Sequence, residues 1–86
     1  MEISTQLKQV LASILNQSTD HFNQQTPLLG NYAELDSMGI MTLLLALESS
    51  FGINMNDIEL SADTFATLGD LQHAIEQALQ LSTSAA

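Results

Sequence analysis

The chain has 86 residues, ten of them acidic against a single basic one, Lys8, for a net charge of −9, and it contains no cysteine. That length gives one domain (1–86) with one thin core, burying roughly 60–65% of the surface its unfolded chain exposes. The charge excludes phosphate-backbone binding and disfavours anionic membranes. The missing thiols exclude a disulfide framework and a thiolate metal site. Basic protein patches, found by electrostatic steering, are the natural partners of such a surface.

Met1 to Thr5 lacks the basic start and apolar run of a signal peptide. The longest apolar run, Leu43 to Leu47, is too short to span a bilayer. The expectation is a soluble cytoplasmic protein without membrane insertion.

Ile3, Leu7, Val10, Leu11, Ile14 and Leu15 recur at the spacing of an amphipathic helix, with Ser4 or Thr5 placed to cap it. It should fade between Asn16 and Thr19, whose side chains compete for backbone hydrogen bonds. Thr19 to Leu35 has no sustained period. Pro27 pushes Thr26 toward extended geometry, and Gly30-Asn31 signals a turn. A connection this long between helices is often functional. Phe22, Leu28, Leu29 and Tyr32 are expected to pin it to the bundle. His21, with no second ligand at helical spacing, reads as a surface histidine.

A second helix opens at Asp36-Ser37. Asp36 is a favoured N-cap, which leaves Ser37 at the first helical position with its hydroxyl pointing outward. At roughly 100° per residue, Ile40, Leu43, Leu44, Leu47 and Phe51 share one arc, the width of a core-facing stripe. Met38, Met41 and Leu45 share another, with Ser37 and Glu48 between the two. So small a protein can rarely bury both stripes. The second stripe is therefore a docking surface or a cavity wall. Gly52 stands where a helix-terminating C′ residue belongs.

Ile53 and Met55 alternate with polar residues but have no partner strand, so the segment reads as loop. Asn56 can cap a short helix over Asp57 to Ala62. Thr67-Leu68-Gly69-Asp70 has the pattern of a capping box. Leu68, Leu71, Ile75, Ala78 and Leu79 then give a last helix, from which His73 projects as a structural histidine. A frayed tail is expected over 82–86. The sum is an all-α, small four-helix bundle of three longer helices and one short one, with a long first loop.

Intrinsic catalysis finds little support. Ser37 has only His21 and His73 as possible bases, neither in a nucleophile-elbow motif. The acids are scattered, with no carboxylate cluster or His-x-x-x-His pair. No glycine-rich phosphate loop is present.

Asp36-Ser37-Met38 at a helix start, after a long loop, resembles the attachment site of the acyl carrier protein family. The usual pattern there is Asp-Ser-Leu, with Met or Ile tolerated in third place. Leu43 to Phe51 is similar to the family's second helix, and Thr67-Leu68-Gly69-Asp70-Leu71 to the start of its last one, so the likeness spans most of the chain. What the resemblance implies is a non-catalytic carrier. Ser37 would bear 4′-phosphopantetheine, transferred from coenzyme A by a separate Mg²⁺-dependent phosphopantetheinyl transferase that Asp36 helps to orient. The arm's thiol, the sole one in a cysteine-free chain, would hold acyl groups as thioesters. Ser37 at the first turn would keep the phosphodiester near the positive end of the helix.

Met38, Met41 and Leu45, with Glu48, match the family's docking positions for acyl-loading and synthase enzymes that present basic or apolar patches. Ile40, Leu44, Leu47 and Ile75 would line a pocket for the acyl chain. Gly39 and Thr42 stand where family members of general fatty-acid synthesis often carry acids, and Gly39 costs about 0.8–1.0 kcal/mol of helix stability relative to Ala. A specialised, stand-alone, monomeric carrier for fatty-acid-like, lipid or polyketide synthesis fits better, with Asp57, Glu59 and Asp63 as an acidic rim. Aminoacyl or peptidyl carriers usually have less acidic surfaces. The alternative from another class is an unmodified acidic helical module that binds partners through the Met38, Met41 and Leu45 stripe.

Overall fold

The computed structural model describes residues 3–58 and 61–84. Its helices are α1 (Ile3–Leu15), α2 (Ser37–Phe51) and α3 (Leu68–Ser84), joined by irregular chain that contains 3-10 turns at Met55–Asp57 and Ala62–Phe65. The all-α architecture matches expectation; the short helix expected over 57–62 falls in part on 59–60, which lie outside the described residues, and the 3-10 turns stand on either side of them. Ile58 and Phe65, buried on either side, fasten this segment to the core.

α1 starts at Ile3, so Ser4 and Thr5 lie inside the helix rather than at its cap. Ile3 packs against the core, and that apolar contact holds the first turn. Leu7, Leu11 and Leu15 are buried. The helix stops at Asn16, whose φ of 56° is left-handed, and the Gln17 N–H returns to the Ala12 carbonyl at 3.3 Å. This is the termination expected of Asn, which tolerates left-handed geometry where a side chain can bond locally. α3 continues through Ser84, so the frayed tail expected from 82 is helical as far as 84, and 85–86 lie outside the described residues. A helix already nucleated extends through poor formers at little cost.

The core joins Leu7 and Leu11 of α1, Leu43, Leu44 and Leu47 of α2, and Leu68, Leu71 and Ile75 of α3. α1 packs on both other helices. α2 packs mainly on α1 and the 55–57 turn, and not broadly on α3.

The long first loop is anchored at several depths. Thr19, buried, donates its hydroxyl to the Lys8 carbonyl at 2.7 Å. Phe22 is buried and stacks on Tyr32, ring centroids 5.8 Å apart. Leu28 and Leu35 are buried as well. Leu29 departs from expectation: it is exposed, because the Gly30 turn beside it, at φ 84°, keeps it at the surface.

Main-chain bonds then tie the loop to the start of α3. Leu28 N–H donates to the Ala66 carbonyl at 2.9 Å, Leu29 N–H to Phe65 at 3.0 Å, and Leu68 N–H to Thr26 at 2.9 Å. Pro27 and Thr67 form an isolated antiparallel bridge between these bonds. The loop and the 62–69 segment thus make one wall, facing α2.

Candidate functional site

α2 begins as its sequence dictates. Asp36, with extended backbone (φ −85°, ψ −169°), accepts the Gly39 N–H on its carboxylate at 2.8 Å. The Asp36 carbonyl accepts the Ile40 N–H at 2.8 Å and so starts the helical ladder. Because Asp36 performs the capping, the neighbouring hydroxyl is not consumed. Ser37 is exposed, and its hydroxyl has no hydrogen-bond partner among the described residues. It stands in the first turn, where unpaired backbone N–H groups make the local potential positive.

The two stripes of α2 separate as expected. Leu43, Leu44 and Leu47 are buried, while Ile40 and Phe51 are half-buried against the core. Met38, Met41 and Leu45 are 78%, 51% and 55% exposed, so the stripe faces outward and is not the wall of an internal cavity; of the three, Met41 reaches the open cleft beside Ser37. Glu48 is half-buried beside them. Its carbonyl receives the Gly52 N–H at 2.9 Å, and Gly52 at φ 67° closes the helix.

Beside Ser37 opens a cleft of about 520 Å³. Leu29 and Leu35 line it from the loop, Ile40, Met41 and Leu44 from α2, and Ala62 and Phe65 from the 3-10 turn, with Asp36 and Ser37 at its edge. The residues expected to line an acyl pocket divide between this cleft and the core. Ile40 and Leu44 line the cleft, but Leu47 and Ile75 are fully buried and do not reach it. Leu47 lies about a turn beyond Leu44 along α2, and the opposing wall is the loop and the turn rather than α3. Periodicity could not bring Leu29, Leu35 and Phe65 to this cleft. The available signal was a run of leucines beside a turn glycine in an overlong loop.

Gly39 has a physical explanation that the sequence reading lacked. A β-carbon there would fall on the Glu34 carbonyl oxygen and lie 2.8 Å from its carbon. The glycine therefore serves close packing of the loop against α2, which offsets its helix cost of about 0.8–1.0 kcal/mol.

Among the described residues no group of His and acids is arranged to hold a metal ion. His21 is exposed and sits edge-on to Phe22, centroids 4.9 Å apart; His73 is also exposed. No described helix is long and apolar enough to cross a membrane.

A three-helix domain that offers a free hydroxyl at a helix head, beside an apolar cleft, belongs in architecture to the small carrier domains. Residues 5–75 match the family described as a phosphopantetheine attachment site. The fold superposes on the solution structure of a holo acyl carrier protein from Nitrosomonas europaea with a TM-score of 0.80 and 35% sequence identity, over 93% of this chain and 99% of that one. No curated protein matches the chain. The chain belongs to the acyl carrier protein family, of the phosphopantetheine-attachment type. Its role is that of an acyl carrier, and its cofactor is covalently bound 4′-phosphopantetheine. The head of α2 fits such a group: the hydroxyl is unconsumed, the helix end suits a phosphodiester, and apolar surface lies alongside.

Proposed function

We propose that Ser37 is the residue that bears the arm, and that the chain presents acyl intermediates to enzymes of a fatty-acid-like or specialised lipid or polyketide pathway. The observation that carries this is the division of labour at the head of α2, where Asp36 caps the helix and leaves the Ser37 hydroxyl exposed and unpartnered. When bound, the arm supplies a thiol that holds an acyl group as a thioester, and no cysteine in the chain competes for it.

The chain's own residues then have separable tasks. The Ser37 hydroxyl supplies the phosphodiester oxygen, and the positive helix end favours the anion that results. Met38, Met41 and Leu45, exposed along α2, offer an adaptable apolar surface on which a transferase and then acyl-loading or synthase enzymes dock, with Glu48 at its edge. The surface of α2 carries no acid between Asp36 and Glu48, so docking there relies on apolar contact more than on charge. Ile40 and Leu44, with Leu29 and Phe65, form the cleft wall against which a cargo chain lies. The protein acts as a monomer in the cytoplasm and does no chemistry itself.

Incubation of the unmodified chain with coenzyme A, Mg²⁺ and a broad-specificity phosphopantetheinyl transferase tests this reading. The intact mass is expected to rise by one arm, and Ser37→Ala to abolish the rise. An adaptor that works through the Met38, Met41 and Leu45 stripe alone predicts instead that partner capture is indifferent to Ser37→Ala and to coenzyme A.

A further inference from the structure

Gly39 has no need of glycine's backbone freedom, since the positive-φ glycines among the described residues are Gly30 and Gly52. What it supplies is space. A β-carbon at this position would fall on the Glu34 carbonyl oxygen, and would stand 2.8 Å from that carbonyl's carbon and 3.4 Å from Asp36 Oδ1. The obstruction is main chain, which cannot rotate aside as the tip of a side chain does.

The Glu34 carbonyl is held where it is. The Leu35 N–H donates to the Tyr32 carbonyl at 3.0 Å, the Leu35 side chain is buried, and Tyr32 stacks on the buried Phe22. Displacing that carbonyl turns the peptide between Glu34 and Leu35. The turn is passed to Asp36, whose carboxylate caps α2, and to Ser37 immediately after it.

We infer that Gly39 is a positioning residue for the loading of Ser37: with no side chain at 39, the Glu34 carbonyl seats against the first turn of α2 and fixes the direction in which the serine hydroxyl is offered. The inference rests on Ser37 being the attachment residue. In loading, the bond between Ser37 Oγ and phosphorus forms as the pyrophosphate P–O bond of coenzyme A breaks. Adenosine 3′,5′-bisphosphate leaves, and the hydroxyl proton passes to a base on the transferase. Misplacing one reacting group by about 1 Å can cost of the order of 100-fold in such a transfer. The docking stripe is on other residues of the same helix and is left unchanged.

The test compares wild type, Gly39→Ala and the double variant Glu34→Gly/Gly39→Ala, each loaded from coenzyme A by a broad-specificity phosphopantetheinyl transferase. Loading is followed by intact mass, and thermal unfolding of each unmodified chain is recorded alongside. Alanine is the better helix former, so a position without this close approach would profit from Gly39→Ala, whereas one that only packs the loop against α2 would lose melting temperature and keep its kcat. The inference predicts instead that kcat falls by about tenfold or more while KM stays within about threefold.

Glycine at 34 adds backbone freedom on the carbonyl's own side of that peptide, so the plane can turn aside with less displacement passed on to Asp36 and Ser37. The double variant is therefore expected to regain most of the wild-type rate, and it supplies the same reading if Gly39→Ala alone does not fold. Wild-type kcat in Gly39→Ala, or a double variant that stays slow or unfolded, overturns the inference. A wild-type chain that accepts no arm at all overturns the attachment reading and this inference with it.

Discussion

The Asp36 carboxylate accepts the Gly39 N–H at 2.8 Å, and this bond lets the cap and the exposed hydroxyl of Ser37 be two different residues. Asp36→Ala is expected to lower unfolding free energy by about 0.5–2 kcal/mol, with Asp36→Asn much closer to wild type, because asparagine also caps. Urea denaturation measures both. Equal midpoints for Asp36→Ala and wild type would contradict the assignment of the cap.

Leu44 and Leu45 are neighbours in sequence with opposite surroundings, 1% and 55% exposed. Leu44→Ala should cost about 2–5 kcal/mol by opening a cavity in the core. Leu45→Ala should stay within about 0.5 kcal/mol and act instead on the KM of partner enzymes. Similar stability losses for the two would mean that α2 is rotated from the orientation described.

Gly52 offers a contrast with Gly39. At φ 67° it has open space around its Cα, so alanine there meets no clash and suffers only the left-handed backbone. Gly52→Ala is expected to cost roughly 1–2 kcal/mol. Calorimetry on that variant should show a lower melting temperature with loading kinetics unchanged, since Gly52 lies at the far end of α2 from Ser37.

Ten acids against one lysine make the folded chain repel itself. Raising ionic strength from about 0.01 to 1 M shortens the Debye length from about 30 to about 3 Å. The melting temperature should rise by several degrees, given about 4–8 °C per kcal/mol for a domain of this size. A flat response to sodium chloride would show that the acids are too dispersed to matter.

Local rules reached far into this molecule. Asp36, Gly52 and the Thr67–Asp70 pair act where capping chemistry placed them; the Thr67 hydroxyl accepts the Asp70 N–H at 3.1 Å and donates to the Asp70 carboxylate at 2.9 Å. The split of α2 into a buried and an exposed stripe followed from helical angle alone. What the sequence could not give was produced by the loop. Whether Leu28 or its neighbour Leu29 turned inward depended on the Gly30 turn together with main-chain bonds to Phe65 and Ala66, residues far along the chain. The same pairing brings Leu29 and Phe65 together at the cleft beside Ser37. Gly39 looked like a cost to the helix until the carbonyl pressed against it was located.

The most direct measurement is fragment-ion mapping of the protein after loading with coenzyme A and transferase. The account predicts a single 4′-phosphopantetheine, on the peptide containing Asp36-Ser37-Met38, with its phosphodiester at the Ser37 oxygen. An arm found on another serine, or a chain left unmodified beside an active transferase, would contradict it.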